Sequence, residues 1–151
     1  MIVLIEDIIK QKTGTVFTME SSLTIEDAIH LMVQKETTGV IVVEDNRPVG
    51  IFTEKDVVLF YARSNHRPFS EVFLKDAMTQ KLIVARPEDG IDTSISLMIK
   101  AGIKHLPVVE NGQIIGILGF CDLVQHQVGA LSSELHYLEE YLDDLQEARK
   151  D

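Results

Sequence analysis

The sequence is poor in cysteine and in positive charge. Cys121 is the single cysteine among 151 residues, which excludes an internal disulfide and a zinc site built from several thiolates. Lysine and arginine number 14 against 24 aspartates and glutamates, so the formal net charge is −10. Because such a chain repels phosphate backbones, general nucleic-acid binding is not expected. A small anion is still compatible with this charge, since a few local cations and N–H groups can hold it.

Long hydrophobic runs are also absent. No apolar run approaches the roughly 20 residues that a membrane-spanning helix needs. The opening MIVLIEDIIK is short, lacks leading cations and soon meets Glu6 and Asp7, so it does not have the pattern of a signal peptide. We expect a soluble, cytoplasmic protein whose length suits one compact domain or two small, mutually dependent halves.

The chain contains two copies of one sequence unit. Residues 15–58 align with residues 81–124 at a constant offset of 66 positions, without a gap. Eleven aligned pairs are identical, and most of the others keep an apolar residue opposite an apolar residue. Chance does not preserve such a pattern over this length, so the chain consists of two copies of one structural unit. The identical pairs are Ile25/Ile91, Ile29/Ile95, Leu31/Leu97, Met32/Met98, Val42/Val108, Val43/Val109, Glu44/Glu110, Gly50/Gly116, Ile51/Ile117, Asp56/Asp122 and Val58/Val124.

Each copy has the pattern of a strand, a helix, two strands and a second helix. After a short apolar stretch, Thr24 offers an N-cap to a helix with apolar residues at helical spacing. The continuous apolar runs GVIVV and HLPVV predict strands that are buried on both faces. Turn residues then join each run to a hairpin partner. The opening strands are predicted at 16–19 and 82–85, the turns at 45–46 and 111–112, the second helices from Glu54 and Phe120, and a linker at 62–76.

The two copies together predict an α/β (α+β) fold. One small sheet with its helices on one side leaves its other face bare, whereas two units packed sheet to sheet cover both faces. We therefore expect two β-α-β-β-α repeats with pseudo-two-fold symmetry and two equivalent clefts, which are natural ligand sites. The predicted domains are a first repeat at 1–66, a second repeat at 67–128 and a C-terminal acidic amphipathic helix at 129–151.

The final strand and helix of each copy carry a recognisable motif. GIFTEKD (50–56) and GILGFCD (116–122) occupy equivalent places, and KHLPVV (104–109) is a basic-His-apolar-Pro strand. On these motifs the sequence resembles a tandem pair of CBS domains, or Bateman module, over roughly residues 10–128. The resemblance implies a regulatory, signal-transduction module without catalysis. The implied ligand is AMP, ADP, ATP or a related adenosyl compound such as S-adenosylmethionine or NADH, and no cofactor is required.

Thr53 and Asp56 are the candidate ligand residues of the first motif. The Asp56 carboxylate can accept hydrogen bonds from both hydroxyls of a ribose, and the Thr53 hydroxyl, one turn before it, can donate to a phosphate. The same residues could instead serve the helix, Thr53 as its cap and Asp56 as a surface charge or dipole partner. The resemblance implies that they share a cleft with strand residues of the other copy. The remaining predicted residues of this nucleotide site are Lys55, Ile83, Lys104, His105, Leu106 and Pro107.

The second cleft is predicted to be weaker. Asp122 can still accept ribose hydroxyls, but Gly119 replaces the hydroxyl residue and Cys121 replaces the lysine. Neither Thr38 nor Gly39 supplies a cation on the facing strand, so a phosphate finds little positive charge. This predicts one good site and one degenerate or differently specific site. The weaker set is Val16, Phe17, Gly39, Val40, Ile41, Gly119 and Asp122.

Patterns of catalysis and metal binding are incomplete. Cys121 has no base that the sequence places beside it, and Asp122 with His126 gives only two metal ligands. No Walker loop, G-x-S-x-G or H-E-x-x-H motif occurs. We expect neither an enzyme nor a metal site.

The segment from Gly129 onward departs from the repeat. Its leucines follow a 4-3-4-3 spacing that puts one apolar stripe along a helix, and it carries seven acidic residues against two basic ones. We interpret it as a self-association or partner-docking helix, with a helix folded onto its own module as the alternative. A homodimer is expected. Two function classes remain: a nucleotide-sensing regulatory module, and a ligand-independent dimerisation or protein-interaction scaffold. The stripe consists of Leu131, Leu135, Leu138, Leu142 and Leu145.

Overall fold

The computed structural model describes residues 2–11 and 16–149. Thr15 of the first copy, and Lys150 and Asp151 of the predicted tail, lie outside the described residues. The helices within these ranges are α1 (Ile5–Ile9), α2 (Ile25–Gln34), α3 (Glu54–Arg63), α4 (Leu74–Ala77), α5 (Ile91–Ala101) and α6 (Phe120–Arg149). The strands are β1 (Thr18–Glu20), β2 (Gly39–Glu44), β3 (Arg47–Thr53), β4 (His105–Glu110) and β5 (Gln113–Gly119), and a 3₁₀ turn spans Phe69–Glu71.

The contacts divide the chain into two compact units. One is Gly14–Ile83, and the other combines Met1–Thr13 with Val84–Asp151. Each unit contains a small sheet with helices, and α6 ends the second one, so the predicted mixed α/β class with a C-terminal helix is confirmed. None of the helices in the described parts of the chain combines the length and apolarity needed to cross a bilayer.

The sheet of the first unit has the order β1-β2-β3. The central strand β2 pairs in parallel with β1 and antiparallel with β3. Its residues from Gly39 to Val43 are all buried, as the continuous apolar run predicted. Asp45 and Asn46 both have positive φ angles, of 50° and 63°, which is the backbone form of a tight hairpin turn.

Thr24 caps α2, as predicted. Its side-chain oxygen accepts a hydrogen bond from the Asp27 N–H at 3.2 Å, and its own N–H donates to Asp27 Oδ2 at 3.0 Å. The hydrogen bond from the Thr24 N–H to the Asp27 carboxylate, and after it the hydrogen bond between the Thr24 side chain and that carboxylate, lower the pKa of Asp27 below its ordinary value of 3.8. The buried face of α2 joins a core with β2, β3 and α4 that includes Ile25, Ala28, Met32, Val40, Val42, Phe52 and Leu74.

The sheet of the second unit is smaller than the repeat predicts. β4 and β5 form an antiparallel hairpin, but the expected strand at 82–85 is reduced to one bridge between Ala85 and Val108. In the first unit the Ser21 N–H extends the pairing by donating to the Val43 carbonyl at 3.0 Å. The aligned residue is Pro87, which has no N–H to donate. The first copy's opening strand also starts later than predicted, at Thr18 rather than at residue 16.

A segment beyond the first copy completes its opening helix. The Ile25 N–H at the start of α2 donates to the Val72 carbonyl at 3.0 Å, and the Leu74 N–H donates back to the Leu23 carbonyl at 2.8 Å. Val72 and Leu74 are also fully buried. Residues 72–79 therefore belong in space with the first unit, although in sequence they follow the first copy of the repeat.

The second unit is completed by the start of the chain in the same way. The Ile91 N–H of α5 donates to the Val3 carbonyl at 2.9 Å, and the Ile5 N–H donates to the Asp89 carbonyl at 2.8 Å. Val3 precedes α1 as Val72 precedes α4. The compact units thus differ from the predicted domains at 1–66 and 67–128. The start of the chain joins the second unit and residues 72–79 join the first, through hydrogen bonds between residues that are distant in sequence.

Candidate ligand-binding site

The first motif spans the junction of β3 and α3. Thr53 ends the strand and Glu54 begins the helix, which makes Asp56 the third helical residue. Asp56 is only 7% exposed. Its Oδ2 accepts a hydrogen bond from the Thr53 N–H at 2.9 Å, with the Thr53 hydroxyl at 3.5 Å from the same atom. The carboxylate therefore closes the N-terminal turn of α3, and a solvated surface charge, one of the alternatives for Asp56, does not describe this buried residue.

The other oxygen of Asp56 has a partner that the motif does not contain. The Thr79 hydroxyl donates to Asp56 Oδ1 at 2.9 Å. Thr79 is held there by two backbone hydrogen bonds with Ile51 of β3, each of 2.9 Å. Sequence reasoning missed Thr79, because it lies 23 residues beyond Asp56 in a stretch without a counterpart at the repeat offset.

The same stretch explains the first glycine of the motif. A Cβ built on Gly50 would lie 2.6 Å from Met78 Sδ and 2.8 Å from the Thr79 carbonyl oxygen. In the second unit, a Cβ on Gly116 would lie 2.7 Å from Ile9 Cδ1. A side chain at Gly50 would thus clash with the backbone of residue 79, whereas at Gly116 only the flexible end of the Ile9 side chain would have to shift.

The second motif repeats the main-chain turn of the first. The Gly119 N–H donates to Asp122 Oδ2 at 2.9 Å, as Thr53 does to Asp56. Glycine offers no hydroxyl here, and Asp122 is half-buried. Ile9 stands to Gly116 as Met78 stands to Gly50, so the residue in the place of Thr79 is the exposed Lys10. The two aspartates are alike in main-chain geometry and differ in side-chain surroundings.

The first N–H of each of these helices already has an acceptor. The Glu54 N–H donates to the Thr38 carbonyl at 3.2 Å, and the Phe120 N–H donates to the Lys104 carbonyl at 2.9 Å. The residues that precede β2 and β4 are therefore hydrogen-bonded to the motif helix of their own unit. An incoming phosphate would have to use the later N–H groups of the turn.

The remaining predicted residues fall into two sets, one on each compact unit. In the first unit Lys55 is exposed, Val16, Phe17 and Ile83 are half-buried, and Gly39, Val40 and Ile41 are buried in β2. In the second unit Lys104 is exposed, His105 and Gly119 are half-buried, and Leu106 and Pro107 are buried in β4. The structure brings Thr53 and Asp56 together within one unit, and a site that combines the two sets stays a prediction.

One cation near the weaker set escaped the sequence reasoning. Lys35 Nζ lies 6.0 Å from the centre of the Phe17 ring, a distance at which a cation–π attraction operates. Lys35 follows α2 and belongs to no motif, so no signal in the sequence singled it out. Lys35 is thus a positive charge close to Phe17, at a position other than 38, 39, 119 and 121, which the sequence analysis considered, and the weaker site stays a prediction.

Comparisons with known proteins identify the family of this chain. The CBS domain family matches residues 3–63 and 74–129. An uncharacterized protein of Methanopyrus kandleri is 34% identical over 107 residues, which are 68% of this chain and 54% of that protein. The chain thus spans about half the length of that relative.

Solved structures agree with this assignment. The CBS-domain containing protein ATU1752 of Agrobacterium tumefaciens has a TM-score of 0.77 at 25% identity, covering 82% of this chain and 92% of that one. The CBS domain pair of the protein MJ0100, solved with 5′-methylthioadenosine and S-adenosyl-L-methionine, has a TM-score of 0.74 at 23% identity, covering 86% and 99%. This chain belongs to the CBS domain family and carries a tandem pair of these domains.

Proposed function

We propose that this chain is a regulatory module that binds an adenine nucleotide or a related adenosyl compound and does no catalysis itself. The ribose would bind Asp56, with Thr53 and Lys55 beside it on the same helical turn. Ile83, Lys104, His105, Leu106 and Pro107 would complete the site. The module would work by changing the packing of its parts when the ligand binds.

The geometry of Asp56 carries the proposal. The carboxylate is buried and held in place through Oδ2 by the Thr53 N–H and through Oδ1 by the Thr79 hydroxyl. Two carboxylate oxygens offer about four acceptor positions, and the Thr53 N–H, the Thr53 hydroxyl and the Thr79 hydroxyl occupy up to three of them. A ribose diol would therefore take the remaining position and compete with one of the hydroxyls for a second. Because the carboxylate is already held in place, little conformational entropy would be lost when it accepts hydrogen bonds from a ribose diol.

The exposed cations indicate where a phosphate chain would lie. Lys55 is on the first turn of α3, and Lys104 directly precedes β4. Both are exposed, so neither side chain is committed to a core. In a chain with a net charge of −10, such cations are local exceptions that would favour a phosphate over a neutral group.

Several adenosyl ligands are candidates for this site. The MJ0100 domain pair shares the fold and was solved with two adenosyl compounds. Its 23% identity extends to this chain only the fold. AMP, ADP, ATP, S-adenosylmethionine and NADH are therefore all candidates, and the weaker set around Asp122 would favour a ligand without a long phosphate chain.

The second candidate function is a ligand-independent interaction scaffold. It is favoured by the hydrogen bonds of Asp56, since each of its oxygens already has a donor within the chain. The loss of the hydroxyl at Gly119 points the same way. In this function Asp56 would be purely a capping residue, and the association of two copies would be the activity.

Titration calorimetry on the full chain separates the two functions. AMP, ADP, ATP, S-adenosylmethionine and NADH are titrated in turn, with GTP as a control that keeps the phosphates and ribose and changes the base. Saturable binding of at least one adenosyl ligand, with weaker binding of GTP, supports the sensory module. No saturable heat with any of them, in a protein that is dimeric by light scattering, supports the scaffold. The proposal further includes a homodimer and a cytoplasmic location.

A further inference from the structure

The last helix carries a line of apolar side chains that its own chain does not cover. Every described residue from 131 to 149 is exposed, so the alternative of a tail folded onto its own module is wrong. We call this line the tail seam; its side chains are between 41% and 59% exposed. The tail seam consists of Val128, Leu131, Leu135, Leu138, Leu142 and Leu145.

The tail is continuous with the second copy's last helix. The sequence predicted a separate element from residue 129, whereas α6 runs unbroken for 30 residues from Phe120 to Arg149. The repeat and the tail thus share one heptad frame. With Leu135 at an a position, Val128 and Leu142 are also a positions, and the other three seam leucines are d positions.

The acidic residues of the tail lie mainly away from the seam. In this frame Glu140, Asp143, Asp144 and Glu147 fall at b, c or f positions, on the outer side of the helix. Only Glu134 and Glu139 flank the seam, at a g and an e position. The other e and g residues between 125 and 148 are uncharged: Gln125, Gln127, Ser132, Tyr141, Gln146 and Ala148.

This distribution selects the kind of helix that fits the seam. A basic partner helix would need acidic residues along both flanks, and most of these positions carry none. Another copy of the same helix meets little repulsion, because most of the acidic charge points away from the contact. The tail seam is thus suited to a second copy of this chain despite its strongly negative charge.

The positions of the two flanking glutamates favour an antiparallel over a parallel pair of helices. In a parallel pair in register, a g residue faces the e residue five positions later on the partner, so Glu134 would face the partner's Glu139 twice. In an antiparallel pair a residues face d residues. In one such register Val128 faces the partner's Leu145 and Leu135 faces the partner's Leu138. The two residue numbers of each facing pair add up to 273, as they must when the chains run in opposite directions in a single register. In this register Glu134 lies opposite the partner's Tyr141 and Glu139 opposite the partner's Ser132.

We propose that the tail seam pairs antiparallel with the tail seam of a second copy, in the register that sets Val128 opposite Leu145. All six seam layers are then apolar and no like charges face each other across the flanks. The paired length, from residue 128 to 145, is about 27 Å at 1.5 Å per residue. The proposal rests on the self-association proposed above and is independent of nucleotide binding.

Cysteine cross-linking tests the direction. Cys121→Ser first removes the native cysteine, and Val128→Cys and Leu145→Cys are then made separately in that background. Each variant is oxidised alone and in an equimolar mixture, with the two chains distinguished by a tag on one of them. We expect the mixture to give the heterologous 128–145 dimer as its main cross-linked product. Each variant alone should give little, because its own cysteines would be about 25 Å apart, well beyond disulfide reach.

The other outcomes contradict the proposal. Homodimers of Val128→Cys and of Leu145→Cys, each formed alone, would show a parallel pair. No cross-link above that of a Ser133→Cys control, in protein that circular dichroism shows to be folded, would mean that the tails do not pair. Glu134→Lys gives a second readout: it should tighten a parallel dimer by relieving the Glu134–Glu139 repulsion, and should change an antiparallel one less than about twofold. Calorimetry with the adenosyl ligands on the same variants keeps a failure here distinct from a failure of the sensory function.

Discussion

Thr79 donates its hydroxyl to Asp56 Oδ1 at 2.9 Å, from a segment that also pairs with β3 at Ile51. The aspartate of the first motif is thereby joined to the chain that leaves the first unit. A ligand that draws on the same oxygen would compete with this bond or reorient it. If the proposed ligand binds at Asp56, this hydrogen bond would connect it to residues 78–79, near the end of the first unit.

Thr79→Val tests whether the hydroxyl competes with the ligand. Valine keeps the shape and removes the donor, so we expect adenosyl ligands to bind about two- to fivefold more tightly, as one more acceptor position becomes available. The unfolding free energy should fall by about 1 kcal/mol, the usual net contribution of such a hydrogen bond. Calorimetry and urea melts measure the two effects, with Thr18→Val on the exposed part of β1 as the control. Weaker binding at unchanged stability would instead assign Thr79 to orienting the carboxylate.

Asp27→Asn tests the capping box of α2. The native carboxyl has a lowered pKa, because it accepts the Thr24 N–H and contacts the Thr24 side chain. A lowered folded-state pKa contributes stability that is complete above the unfolded value near 3.8 and is lost as the pH falls through the folded value. Urea melts at pH 7 and at about pH 3 should therefore show the variant to be less stable at pH 7. The difference should narrow at the lower pH, and a constant difference at both pH values would rule out the ionised cap as its source.

Much of the unit architecture was predictable from the sequence. The cap at Thr24, the buried run in β2 and the helix starts at Glu54 and Phe120 are all local features, encoded by residues within a turn of each other. Pro87, which has no N–H to donate, was also visible in the sequence. Its effect on the second sheet could not be predicted, because it depends on which strand residues pair in the fold.

The surroundings of the candidate site were less predictable. Thr79 reaches Asp56 through the pairing of residues 78–79 with β3, and Lys35 reaches Phe17 through the packing of α2 on its sheet. No motif marks either contact, since both join residues that are distant in sequence. The same applies to residues 3–5, which complete the second unit rather than the first.

Lys104→Ala should distinguish the phosphate chain from the nucleoside. Removing this exposed cation should weaken ATP binding about threefold or more, because the negative phosphates lose a positively charged partner. The affinity for adenosine, which has no phosphate, should change less than about twofold. Lys100→Ala, at a lysine on α5 that is also exposed, is the matched control. The comparison is made by calorimetry at two salt concentrations, and equal losses for ATP and adenosine would place Lys104 outside the phosphate site.

Deleting residues 129–151 separates binding from association. The predicted site lies wholly within residues 16–124, so the affinity for the adenosyl ligand should change less than about twofold. Association should weaken, because the deletion removes five of the six tail-seam residues. Light scattering and calorimetry on the same samples test both parts. A truncated protein that stays dimeric but loses the ligand would refute this division of roles.

The most direct test of the sensory function compares the two motif aspartates. Asp56→Ala removes the carboxylate that would accept two ribose hydroxyls, and charge-assisted bonds of this kind contribute roughly 1.5–3 kcal/mol each, so the affinity measured by calorimetry should fall at least about tenfold. Asp122→Ala, which loses the same helix-turn hydrogen bond at the weaker site, controls for the loss of the cap and should change the affinity less than about threefold. Thermal melts confirm that both variants are folded. A tenfold loss confined to Asp56→Ala is the predicted result, whereas unchanged binding in Asp56→Ala would contradict the account.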